Sequence, residues 1–223
     1  MTWYADLGPI DYFRELSFPA LRAVGWLGEG HSYVKGEVSP AFIERLCVLL
    51  LDPWDPVLFM GPHACDLCPW EVPPVPESKR LLQRSGSPPT PSEMERSRKA
   101  IFGVRKPPQP ITVGREKVPM GRTNLWVPGD GCVYVAPSLI AHYVREHRYK
   151  PPEAFVNAVL RCPPMHSEEY VKARRDLSKD EFVQWLLQCR DPRATEYRDA
   201  LRTSGAEDLA NWTPWWFASG SGV

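Results

Sequence analysis

Two cysteines and two histidines, far apart in the chain but spaced to suit one metal ion, constrain this fold more than any other feature. Cys65 and Cys68 lie in Gly61-Pro62-His63-Ala64-Cys65-Asp66-Leu67-Cys68-Pro69-Trp70, and His142 and His147 have four residues between them. A Cys-x-x-Cys turn can grip one ion with both thiolates, and tetrahedral zinc takes thiolate at ~2.3 Å and imidazole at ~2.0 Å. The usual complement is a histidine pair with three to five intervening residues at a helix end. If the four meet, a turn folds against a helix across the 73 residues between Cys68 and His142, and the ion closes a long loop. On an ideal helix His142 and His147 lie ~140° apart. They converge only where the helix loosens, and the stop Tyr149-Lys150-Pro151-Pro152 favours a frayed end. His63 competes for the fourth place, or else steadies a thiolate from behind. A redox dithiol is the less favoured alternative, because no βαβ pattern surrounds the motif. The remaining one is a set of turn cysteines and helix histidines that bind nothing.

The ion is not needed merely to obtain a core, since 223 residues suffice to bury one. Twenty-seven basic and twenty-seven acidic side chains cancel, which leaves no broad field to draw in nucleic acid or an anionic membrane. The longest apolar run, Leu46 to Leu51, is far short of the ~20 residues that span a bilayer. Six cysteines are few, and the amino-terminal stretch lacks a basic-then-apolar secretory pattern, so reduced thiols in a cytoplasm are expected. Proline takes 25 positions, about twice the ~5% of ordinary chains, and 11 of them lie between Pro69 and Pro119. Residues 72–110 are therefore expected as a long, partly mobile surface excursion, whose basic run Arg96-Ser97-Arg98-Lys99 is a solvated loop.

Local signals give the elements. Ser39-Pro40 opens a helix to Leu51 with Phe42, Ile43, Leu46, Leu49 and Leu50 on one face, and Asp52-Pro53 ends it. The β-like runs Leu21 to Leu27 and Tyr33-Val34, broken by glycines, suggest a small hairpin. Pro128-Gly129-Asp130-Gly131 joins two aromatic and β-branched strands, Asn124 to Val127 and Cys132 to Val135, in a second hairpin. A short helix over 137–147 and another from Lys150-Pro151-Pro152-Glu153, with Phe155, Val156, Val159 and Leu160, follow. Ser178-Lys179-Asp180-Glu181 is a capping box opening a helix, and Thr195 to Ser204 is a further one closed by Gly205. The expected fold class is α+β. A small hairpin/helix domain tied by the metal spans residues 1–165, and a helical carboxyl-terminal extension spans 166–223.

The chain resembles a family of small, uncharacterised bacterial proteins with no established activity. The resemblance rests on Val24-Gly25-Trp26-Leu27, Gly30-His31, Gly36-Glu37-Val38, His63-x-Cys65-x-x-Cys68, Val133-Tyr134-Val135-Ala136-Pro137, and His142-Tyr143-x-x-x-His147-x-Tyr149-x-Pro151-Pro152-x-x-Phe155. It covers residues 1 to about 160 and implies that both halves of the metal site, with His31, belong to one recurring domain. This chain departs from the family pattern at Pro62, where phenylalanine or tyrosine is usual, and in the length of its proline-rich stretch.

Catalytic readings are weaker. Zinc nucleobase deaminases need a glutamate two residues after the first histidine and a proline before Cys-x-x-Cys; Tyr33 and Ala64 stand there instead. His-Asn-His-type nucleases need an asparagine between their histidines, and none matches. A zinc hydrolase needs an open position and a base, for which Glu146 is the nearby carboxylate. The expected role is thus a zinc-stabilised bacterial module that binds a protein partner. A zinc-dependent hydrolase and an immunity or anti-toxin partner are the alternatives. The aromatic group Trp212, Trp215, Trp216 and Phe217 is expected to pack back on its own domain.

Overall fold

A computed structural model describes residues 2–13, 17–56, 63–71, 104–105, 108–175, 177–179 and 181–188. The fold is α+β, built on a three-stranded sheet. Strands β1 (Leu21–Ala23), β6 (Asn124–Gly129) and β7 (Cys132–Pro137) lie in the order β1-β7-β6. Gly131, at φ +67°, allows the tight reversal from β6 to β7, which pair antiparallel from Asn124↔Pro137 to Gly129↔Cys132. All six residues of β7 are buried, as a central strand covered on both faces must be.

The expected hairpin between residues 21–27 and 33–34 does not form. β1 instead runs parallel to β7, with Leu21 opposite Val133 and Ala23 opposite Val135. Ala23, Val24, Trp26 and Leu27 are all buried. A two-stranded ribbon would leave one face of so apolar a run in water, whereas a sheet covered on both faces buries it. The Tyr33 segment pairs elsewhere, through a bridge between Lys35 and Tyr149 and a hydrogen bond from the Lys150 N–H to the Val34 carbonyl (2.9 Å).

Two short ladders complete the strands: β2 (Trp70–Glu71) with β3 (Val104–Arg105), and β4 (Thr112–Val113) with β5 (Glu116–Lys117). The first joins the two ends of the proline-rich stretch, so Val104 and Arg105 belong to a strand. Residues 72–103, the basic run among them, lie outside the described residues, as do the expected helix over 195–204 and the Trp212 to Phe217 cluster.

Helix α1 (Pro40–Leu51) begins as its sequence dictates: the Phe42 N–H donates to Ser39 Oγ (3.2 Å), and proline occupies the first turn. It buries Phe42, Leu46, Leu49 and Leu50. Helix α2 (Ile140–Glu146) follows β7, and α3 (Glu153–Arg161) packs on α1 and β6. Of the apolar residues expected on α3, Phe155 and Val159 are buried, while Leu160 is 43% exposed. Helix α5 (Glu181–Gln188) lies where the capping box placed one and buries Val183 and Leu187.

Helix α4 (Glu168–Arg174) seals the far side of β6. Its Tyr170 is fully buried and donates its hydroxyl to the Trp126 carbonyl. The Arg174 guanidinium, also buried, lies 3.8 Å from the Trp54 ring centroid and 4.3 Å from that of Tyr170. Trp54 meets Trp126 edge to face at 5.6 Å. Tyr170 and Arg174 of α4 thus share a core with the sheet. Tyr170→Phe is expected to lower unfolding stability by about 1 kcal/mol, because the buried Trp126 carbonyl loses a donor. The urea midpoint checks this.

Candidate metal centre

The Cys-x-x-Cys turn is held against the body of the domain just before it begins. The His63 N–H donates to the Gly121 carbonyl (2.7 Å). Gly121 sits at φ +75°, and a Cβ there would fall 2.4 Å from the His63 carbonyl oxygen, so only glycine permits this approach. From that anchor the chain turns Cys65 and Cys68, both buried, toward the end of α2.

Helix α2 presents the histidines. His142 is buried within it. His147 lies one residue past its end at φ −110° and ψ 4°, with its N–H on the Tyr143 carbonyl (3.1 Å). The chain then passes through Arg148 at φ +55°, where non-glycine residues rarely settle. The helix has therefore stopped before His147. With His147 off the helical dihedrals, its Nε2 reaches within 3.1 Å of that of His142.

The four ligand atoms lie within 4.8 Å of one another. Nε2 of His147 is 3.1 Å from Nε2 of His142 and 3.3 Å from Sγ of Cys65. Sγ of Cys68 is 3.2 Å from Nε2 of His142 and 3.5 Å from Nε2 of His147. A regular tetrahedron with zinc-type bond lengths has edges of ~3.3 Å between nitrogens and ~3.5 Å between sulfur and nitrogen. These four separations fall close to those edges, and Cys65, Cys68, His142 and His147 could hold a metal ion.

Electrostatics set the protonation of these groups. Burial pushes the Cys65 thiol up to about 12. Burial, then the neighbouring His147, pulls His142 down to about 4, and burial lowers His147 as well. Protein groups alone thus hold the thiol and both imidazoles neutral. A cation among them reverses this for the sulfur, because a coordinated thiol ionises outright. The outer contacts are sparse on one side: His142 Nδ1 is buried without a hydrogen-bond partner. Ligating histidines usually donate through that second nitrogen.

His63 does not join the cluster. It borders a small cavity lined also by Trp26, Gly121, Thr123, Asn124, Pro137 and Leu139, and burial lowers its pKa. Its backbone bond to Gly121 explains the placement, since that anchor precedes the turn that carries the sulfurs. His31 is exposed and stacks on Trp3, with ring centroids 4.2 Å apart. Glu146, the carboxylate considered as a base, is exposed at the end of α2 and is not among the converging groups. Gly121 escaped the sequence reading: a lone glycine between Met120 and Arg122 carries no sign of what will approach it.

With this geometry in view, the chain belongs to the family described as a domain of unknown function (DUF7919), whose family model matches residues 2–160. Both halves of the cluster fall inside that span. No curated protein and no solved structure matches the chain. Among the described residues no helix is long and apolar enough to cross a membrane, and Cys47, Cys65, Cys68, Cys132 and Cys162 are free thiols.

One consequence concerns acid. His142 has a folded pKa below the ~6.5 of an unfolded histidine, so as pH falls the unfolded chain takes up its proton first. The stability associated with neutral His142 is complete above pH ~6.5 and is lost as pH falls toward about 4. Chelator-treated protein is expected to show urea midpoints that decline across this window, and His142→Asn should flatten the decline.

Proposed function

We propose that the protein is a zinc-stabilised interaction module of a bacterial cytoplasm, in which the ion holds the fold and does no chemistry. The observation that carries this reading is the convergence of four protein donors, two sulfur and two nitrogen, within 4.8 Å of one another, three of them on buried residues. Two thiolates with two imidazoles in that geometry suit zinc best. Four protein ligands complete its coordination and leave no position for the activated water that a hydrolase requires. Thiolate ligands also need a compartment that keeps cysteines reduced. The balanced charge, 27 against 27, favours a protein partner over nucleic acid.

Elemental analysis tests the metal. Wild-type protein should carry about one zinc per chain, and Cys65→Ser and His142→Ala should bind it at least ~10-fold more weakly, with lower thermal midpoints. Wild-type protein without zinc overturns the reading. A His147→Ala variant that keeps full zinc content would leave a three-residue site and reinstate the hydrolase. The interaction role is tested by affinity capture from the organism's own extract, with Cys65→Ser as control. A partner that is held only by zinc-loaded protein is the expected result.

A further inference from the structure

His147 is the one ligand carried by neither the Cys-x-x-Cys turn nor a helix, so something else must fix its place. The segment 147–149 is fastened on three sides. The Tyr149 N–H donates to the same Tyr143 carbonyl that receives the His147 N–H, at 3.0 and 3.1 Å. The Gly36 N–H donates to the Arg148 carbonyl (2.9 Å), and the Tyr33 hydroxyl reaches the His147 carbonyl (3.4 Å). Tyr149 itself is fully buried, and its hydroxyl donates to Asp6 Oδ1 at 2.7 Å, across 143 positions of sequence.

Asp6 is anchored in turn. The same Oδ1 accepts the Gly25 N–H at 2.9 Å. The next residues bind the edge of β1, through Leu7 N–H to the Ala23 carbonyl (2.8 Å) and Ala23 N–H to the Gly8 carbonyl (2.9 Å). Gly25, at φ +70°, lets this junction close: a Cβ there would lie 3.0 Å from Ile140 at the start of α2 and 3.3 Å from the Tyr149 ring. One carboxylate thus joins the exit of β1 to the segment that carries His147. Arg148, the single residue between His147 and Tyr149, holds a left-handed conformation that persists only where its surroundings over-determine it.

We propose that Asp6 and Tyr149 are positioning residues for the metal centre: the Asp6–Tyr149 hydrogen bond ties the post-helix segment to the sheet and so sets His147 Nε2 at its vertex of the tetrahedron. This rests on the zinc reading above and adds to it a remote strap. Outer contacts of metal ligands commonly matter by about 10- to 100-fold in affinity. The strap acts through the backbone of 147–149 and leaves the imidazole itself untouched.

The test is a zinc competition titration against a chromophoric chelator, paired with the visible absorption of the cobalt-substituted protein. Tyr149→Phe and Asp6→Ala should each weaken zinc by ~10-fold and alter the cobalt ligand-field bands. Asp6→Asn, which keeps an acceptor oxygen, should recover most of the affinity. Tyr170→Phe, a destabilising change on the far side of the sheet, should leave affinity and bands as in wild type. Wild-type affinity and spectra in folded Tyr149→Phe and Asp6→Ala overturn the strap while leaving the zinc reading intact. If Tyr149→Phe does not fold, Asp6→Ala against Asp6→Asn decides alone, and a weakening of zinc in Tyr170→Phe equal to that in Asp6→Ala also overturns the proposal. Wild-type protein that binds no zinc removes the reading beneath it.

Discussion

Two thiols and two imidazoles confined within 4.8 Å of one another leave few electrostatic choices. Either all stay neutral and bond to one another, with His142 Nδ1 left unpaired, or a cation sits among them and pairs with thiolates. Much of the architecture around the cluster serves to bring these donors together. The turn at 65–68 hangs from Gly121, α2 ends at Glu146 with His147 as its cap, and the loop beyond is gripped by residues from the amino-terminal segment. These are tertiary contacts, and each joins pieces of chain distant in sequence.

The sheet supplies the rigid reference for this arrangement. Its central strand β7 leads through a short turn into α2, so the position of His142 follows from that of β7. β1, on the other side of β7, reaches the far end of α2 through Gly25 and Asp6. Helix α4 lies beyond the 2–160 span of the family match, yet its Tyr170 and Arg174 fill the core beside Trp54 and Trp126. The structural unit of this chain is therefore longer than the family domain.

Short-range signals proved legible. Ser39-Pro40 marks the start of α1, Gly131 turns β6 into β7, and the proline pair at 151–152 separates α2 from α3, because caps, positive φ and missing N–H groups act within a few residues. The convergence of Cys65, Cys68, His142 and His147 was legible too, though with His63 as a fifth candidate, since the chemistry of thiolate and imidazole restricts which spacings can converge. The partner of β1 was not. Alternation and apolar content identify a strand but say nothing of which strand it joins, and here that strand lies more than 100 residues later. The β4–β5 ladder and α4 escaped for the opposite reason: elements of two and seven residues leave too short a pattern to stand out.

By itself the sequence determined five candidate donors, Cys65, Cys68, His142, His147 and His63, a helix end before the proline pair, and an α+β class of short elements. Those follow from side-chain chemistry and backbone stereochemistry, which are properties of each residue and its near neighbours. Only the tertiary structure decided that His63 turns to a cavity and not to the sulfurs, that β1 runs parallel to β7, and that Asp6 meets Tyr149. Each of these depends on which surfaces bury one another. A local pattern cannot choose between partners of equal chemistry, whereas packing admits the one that leaves the fewest buried groups unpaired.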